Sequence, residues 1–276
     1  MTTAAAPRIH PTAVVDPSAK IGVGVEIGPY CVIDAGAALG DSVKLGAFVR
    51  IHGCVTIGPG TSIRDHSVIG GEPQDTKYKD DPSRVVIGAG CRIHEHVTVH
   101  RGTGANTETW LGDGVMLMAS SHVGHNCRVE RDAVLVNSAM LGGHVHVGER
   151  AFISGGAAVH QFCRVGRLTL VGGAAMVTKD APPFSIVVGS YPLRWRAPNT
   201  IGLRRAGLSA EQRSAIRHAL ARIFRSGQSP TRVAHELSKS PVPEVAEIAR
   251  FVAESKRGIC AGPGGVRHND EGDEGF

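Results

Sequence analysis

Residues 111–177 read LGDGVM LMASSH VGHNCR VERDAV LVNSAM LGGHVH VGERAF ISGGAA VHQFCR VGRLTL VGGAAM V, and every block of six opens on Leu, Val or Ile. The phase extends backwards through Val99, Ile93 and Ile87, and from Ile69 by sixes to Ile9. Of the 29 positions on this register, 26 are Ile, Leu or Val; Asp75, Asp81 and Ala105 are the exceptions and fall where the pattern is otherwise lost. A strand has period two and a helix 3.6, so neither explains one obligatory aliphatic residue in six. A coiled ribbon does: each hexad is a short strand and a turn, three hexads make a triangular coil, and the aliphatic side chains stack inside. Residues 18 apart then lie above one another, with parallel strands about 4.8 Å apart. Gly commonly follows the aliphatic residue, as in Ile27-Gly28 and Leu141-Gly142, where it is expected to allow corners of positive φ.

The register predicts a mainly β protein: a parallel β-helix over 1–190, with loops inserted at about 70–86 and 100–110. The period stops after Val177, and Tyr191–Asn199 reads as a linker into an α-helical domain over 191–260. There Ser209 and Gln212 form a capping box before Ile216, Leu220 and Ile223 at helical spacing, and Pro230 and Pro243 open further segments. The Gly-rich, charged stretch 261–276 is expected to be a disordered tail.

Composition fits. Gly contributes 36 of 276 residues, and Phe, Trp and Tyr together only 4 %, as suits a chain that turns often and packs small. A net charge of +5 is too small to imply nucleic acid, and no nucleic-acid partner is expected. Six cysteines without a C-x-x-C pair argue against a zinc ribbon or dithiol site. No signal-type or membrane-length apolar stretch is present, so a cytoplasmic protein without stable membrane insertion is expected.

The repeat converts spacing into geometry. His125, His144 and His160 fall within a residue of one column on successive coils, with His122 just before. Four converging imidazoles suit either a general base near neutral pH or a metal site. A purely structural solenoid is the bland alternative.

Several segments carry more information than hexads: Gly71-Glu-Pro-Gln-Asp-Thr-Lys-Tyr78, Val99-His-Arg-Gly-Thr103, His122-x-x-His125, Leu141-Gly-Gly-His-Val145, Ala158-Val-His-Gln-Phe162 and Gly202-Leu-Arg-Arg205. Together they resemble the UDP-N-acetylglucosamine O-acyltransferases of lipid A synthesis, over residues 9 to about 258. The resemblance implies a left-handed β-helix, a homotrimer with its site between neighbouring prisms, and transfer of a (R)-3-hydroxyacyl group to the sugar 3-hydroxyl. The donor is the phosphopantetheine thioester of acyl carrier protein, so no cofactor or metal is implied. His125 is implied as general base and the Gly143 N–H as donor to the thioester oxygen. Gln74, Asp75, Lys77, His122, His144, His160 and Gln161 are implied around sugar and hydroxyacyl chain, Asn199, Arg204 and Arg205 near the nucleotide, and Gly173 as a limit on acyl length. Arg164, Arg167, Arg217 and Arg222 are candidates to meet the acidic carrier protein.

Two departures stand out. Many family members place Asp after the catalytic His, where this chain has Asn126, which accepts a hydrogen bond but adds no charge. The run Asn199-Thr-Ile-Gly-Leu-Arg-Arg-Ala206 lacks the Glu and Arg that the family places at Ile201 and Ala206. A 3-amino UDP-hexosamine acceptor, an acetyl-CoA-dependent hexapeptide acetyltransferase and a zinc-dependent β-helical carbonic anhydrase remain open alternatives.

Overall fold

A computed structural model describes residues 6–263. Its body is a three-sided solenoid of short parallel strands. The first face carries Arg8–Ile9, Glu26–Ile27 and their successors, the second Val14–Val15 and its successors, the third Lys20–Ile21 and its successors, in sheets of 11, 9 and 8 strands. Arg8 pairs with Glu26, eighteen residues on. Ser62 pairs with Arg92, thirty on, and Arg92 with Met116, twenty-four on. The first loop, residues 72–83 between strands Val68–Gly71 and Arg84–Ile87, thus adds two hexads, and the second, residues 101–107, adds one. Phase survives because both insertions are multiples of six.

The first residue of each hexad points inward and is almost fully buried from Ile27 to Val177. Burying each such side chain contributes about 1.5–3 kcal/mol, so stacked aliphatics rather than local propensity hold strands two residues long. The fifth place also points inward. It takes small residues, among them Cys31, Cys91, Cys127 and Cys163, all free and buried. Burial pushes the Cys91 and Cys163 thiols up to about 11 and that of Cys127 up to about 12, which makes them inert filling.

Within the coils left-handed backbone recurs at the fourth place; at the second it occurs at Gly70, at the root of the first loop, where φ is 87°. Tyr30, Phe48, His66, Asn126, His144 and Phe162 all have φ between 57° and 63°. The second-place glycines serve another purpose: a Cβ on Gly28 would lie 2.4 Å from the Gly46 oxygen of the next coil, and one on Gly166 2.3 Å from the Pro183 nitrogen. Close approach between coils, rather than positive φ, excludes side chains there.

The stretch expected as a linker contains a strand. Arg194–Pro198 pairs antiparallel with Ser185–Val188 and extends the first face. Its alternation puts Trp195 inside, stacked on Phe224 at 4.9 Å. Four helices follow: α1 (Thr200–Arg205), α2 (Ala210–Arg225), α3 (Pro230–Leu237) and α4 (Pro243–Ala253). The capping box of α2 is formed on both sides, and Ile216, Leu220 and Ile223 are buried. Ala261, assigned by sequence to the tail, instead accepts the Trp195 N–H and donates to Leu193; the rest of the expected tail, from residue 264, lies outside the described residues. Two of the candidate carrier-protein arginines prove structural. Arg164 donates to Asp180 and to the Phe251 carbonyl, and Arg167 pairs with Glu247 of α4 at 2.7 Å.

Candidate active site at one corner of the solenoid

Both loops leave the same corner, between the second and third faces. Beneath them runs an open cleft of about 410 Å³, lined among others by Gln74, His100, His122, His125, Gly143, His160 and Gln161. The three histidines expected within a residue of one column, and His122 before them, occupy separate hexad places. His122 is at the sixth place, pointing outward from the second face; His125 is at the third, below Gly143 and Gln161; His144 is at the fourth, between Asn126 and Phe162; His160 is at the second. His144 stacks on Phe162 with ring centres 4.6 Å apart and stands beside the cleft rather than lining it.

His125 is the most buried of these four, at 8 % exposure. Its ring leans over Gly143, where a Cβ would come within 2.4 Å of Nε2; glycine is required for that contact. Its tautomer follows from the hydrogen bonds. The Thr103 N–H can only donate, so the atom of Asn126 facing it at 2.8 Å is the amide oxygen. The same oxygen lies 2.8 Å from His125 Nδ1, which must therefore carry the proton and leave the Nε2 lone pair free. Asp75 Oδ2 stands 3.8 Å from that Nε2. Asn126 Nδ2 completes the link by donating to the Thr103 carbonyl, so one amide orients the imidazole and anchors the second loop.

The Gly143 N–H has no acceptor among the described residues, whereas Gly142 donates to the Val159 carbonyl and His144 to the His125 carbonyl. At the same hexad place on other corners the amides of Val23, Ala47 and Ala89 are each taken by an aspartate of the following coil, at 2.7–2.8 Å. Gln161 occupies that place above Gly143 and leaves the donor uncapped.

Sequence reasoning missed His100. Across the second loop the register is twenty-four, so His100 lies below Gly124, Gly142 and His160 at the second place of the hexad. It meets His122 edge to face at 4.9 Å. Burial first, then charge on His122, His125, Arg101 and His52, pushes its pKa down to about 4. His122 is lowered by burial and then by His125, and His144 by the same two causes, partly offset by Asp75. His122 Nδ1 shares a 2.8 Å hydrogen bond with Thr98. Burial thus favours the uncharged form of all three; His100 and His122 are polar walls of the cleft, and His144 stands beside it.

The remaining expected residues are not gathered here. Lys77 is exposed on the first loop. Gly173 lies at the corner between the first and second faces, where a Cβ would meet only the Gly155 oxygen at 3.7 Å. Asn199 is buried as the N-cap of α1: its oxygen accepts the Gly202 N–H and its nitrogen donates to the Leu168 carbonyl. Arg204 and Arg205 are exposed in the last turn of α1. No cluster of three or more His, Cys, Asp or Glu with metal-holding geometry occurs among the described residues, and no helix is long and apolar enough to cross a membrane.

Fold and site define a hexapeptide-repeat transferase with a helical C-terminal module. The model of bacterial transferase hexapeptide repeats matches residues 36–71, and that of UDP-N-acetylglucosamine O-acyltransferase domain 2 matches residues 180–260. An acyl-(acyl-carrier-protein)–UDP-N-acetylglucosamine O-acyltransferase of Synechocystis sp. is 46 % identical over 90 % of each chain. One of the same name from Burkholderia orbicola is 43 % identical over 91 % of this chain and 98 % of its own. A solved UDP-N-acetylglucosamine acyltransferase from Bacteroides fragilis is similar with TM-score 0.87 and 37 % identity, covering 91 % of this chain and 99 % of the other. The chain belongs to the UDP-N-acetylglucosamine O-acyltransferase family, and its solenoid is a left-handed parallel β-helix of hexapeptide repeats.

Proposed function

We propose that the chain transfers a (R)-3-hydroxyacyl group from acyl carrier protein to the 3-hydroxyl of UDP-N-acetylglucosamine, the first step of lipid A synthesis, with His125 as general base. Family membership supports the reaction, and one observation carries the residue assignment. Asn126 holds the proton on His125 Nδ1, so the Nε2 lone pair is available at the cleft. A sugar hydroxyl is a poor nucleophile near pH 7; loss of its proton to Nε2 as the oxygen attacks the thioester carbon gives an imidazolium. Asp75, 3.8 Å away, favours that cation where neutral Asn126 adds no charge. The thioester oxygen gathers negative charge as the tetrahedral intermediate forms, and the uncapped Gly143 N–H is a fixed donor for it. Collapse then expels the phosphopantetheine thiolate, which the imidazolium protonates.

Gln74, His122, His160 and Gln161, which line the cleft, and Asp75, beside His125 Nε2, are assigned to the sugar and hydroxyacyl chain, with Lys77 and His144 in supporting places outside the lining. We assign Gly173, Asn199, Arg204 and Arg205 to nucleotide and acyl-chain recognition only across a subunit boundary, or, for Asn199, by shaping α1. A homotrimer would bring such residues to a neighbour's cleft. Its support is the apolar outer surface of the first two faces, where Met140, Phe152 and Met176 are 37–48 % exposed. The chemistry described needs no metal or cofactor, and the reading places the enzyme in the cytoplasm with acyl carrier protein.

The test is an acyl-transfer assay of the full chain with acyl carrier protein thioesters of several lengths, offering UDP-N-acetylglucosamine and its 3-amino analogue, with acetyl-CoA as competing donor. Transfer to the 3-hydroxyl is expected, lost in His125→Ala. Turnover restricted to acetyl-CoA or to the amino sugar would overturn the reading.

A further inference from the structure

We propose that Arg101 is a positioning residue for acceptor binding: it clasps the first loop onto the second and so holds Gln74 and Asp75 over the cleft. This rests on the function proposed above.

Residues 73–81 carry Gln74 and Asp75, yet their side chains and backbone make few bonds that leave the loop. Tyr78 N–H and Lys77 N–H both turn back to Asp75, onto its carbonyl and its carboxylate. Among the described hydrogen bonds, those that tie this segment to the rest of the chain run through the Tyr78 hydroxyl. It accepts from Arg101 Nη2 at 2.7 Å and from Arg101 Nε at 3.1 Å, and donates within the loop to Asp80. The third arm of the guanidinium, Nη1, donates to the Gly70 carbonyl at 3.2 Å, at the root of the same loop. The guanidinium also lies 5.5 Å from the Tyr78 ring centre. Its side chain is only 15 % exposed, whereas its carboxylate neighbours Glu72 and Asp80, at 3.7 and 3.6 Å, are 72 % and 90 % exposed. Screening makes those ion pairs weak, so the fork onto Tyr78 and Gly70 is the firm contact.

Arg101 begins the second loop, which is itself fixed to Asn126 through Thr103. One continuous path therefore joins the orientation of the base to the position of Asp75 on the other side of Nε2: His125, Asn126, Thr103, Arg101, Tyr78, Asp75. A lysine in place of Arg101 has one ammonium nitrogen on a flexible stem and does not reproduce the planar fork whose three nitrogens reach hydroxyl and carbonyl.

The experiment uses the full chain with Arg101→Lys, Tyr78→Phe and the double variant, reading kcat and KM for UDP-N-acetylglucosamine and amide hydrogen exchange across 72–83 without substrate. Arg101→Lys is expected to raise KM about tenfold while kcat falls less than about threefold, because the base and its donor stay in place. Tyr78→Phe is expected to raise KM about threefold, and the double variant to match Arg101→Lys, since both act on the same Arg101–Tyr78 contact. Exchange at Lys77 and Tyr78 should quicken in each. Unchanged KM in both single variants overturns the proposal, whether or not exchange quickens, as do effects that multiply in the double variant. An inactive wild type would sink the proposed function instead, and exchange would still report whether the clasp holds the loop.

Discussion

Two corners flank the second face, and both carry histidines brought together by the same coil register. At one, Tyr30, Phe48, His66 and His96 stack as a ladder; His66 and His96 are 5.1 Å apart at 5° and exposed. At the other, His125 and His144 are 5.2 Å apart at 89°, and His125 is buried. Separation is the same and orientation differs, because the ladder rings all occupy the left-handed fourth place whereas His125 occupies the third. A third-place ring can fold over the next coil only where that coil has no side chain, as at Gly143. The two loops then cover it. A column of histidines is thus a consequence of winding; the site comes from the hexad place, the glycine above and the cover.

The largest test of that contrast is His125→Ala against His96→Ala. Removing a general base is expected to cost about 10²–10⁴ in kcat/KM, whereas the ladder variant should stay within about twofold. Gly143→Ala comes next: its methyl displaces the imidazole and crowds the free N–H, and a loss of about 10²-fold in kcat is expected, with an unfolding midpoint that moves little. A variant inactive merely through unfolding would sink this explanation.

Asn126→Asp sharpens the comparison further. A carboxylate beside Nδ1 favours the imidazolium, so the acid limb of the kcat/KM profile should move to higher pH. The lost bond from Nδ2 to the Thr103 carbonyl should loosen the second loop, read as faster exchange over 101–107. A limb that moves to lower pH would break the assignment.

The smallest expected effect concerns His100. Its folded pKa, about 4, lies below the unfolded value near 6.5, so the unfolded state binds the extra proton and stability falls as pH drops through that window. His100→Gln should flatten the fall in unfolding midpoint between those pH values, read against the wild type over the same range.

Much of this was legible in sequence. The hexads, the loops' place and the α2 capping box needed no coordinates, nor did the gathering of His122, His125 and His160. His100 was also within reach, since a loop of one hexad changes the register to twenty-four. The strand at Arg194–Pro198 escaped notice because its alternation spans one tryptophan between two arginines, too short to separate from a linker. Asn199 is expected near the nucleotide, and its place as the N-cap of α1, buried against Leu168 and Gly202, depends on contacts that the sequence does not display.

The amino-acid order alone determined the winding, because one inward side chain in six repeats over a length that chance cannot sustain and each short strand depends on its neighbours for burial. It also determined which residues share a corner. Only the tertiary structure decided which ring is buried, which nitrogen keeps its proton and which amide stays uncapped. Those properties depend on partners such as Thr103, Tyr78 and Arg101, whose spacing follows no period and whose contacts exist only once both loops have closed over the coil.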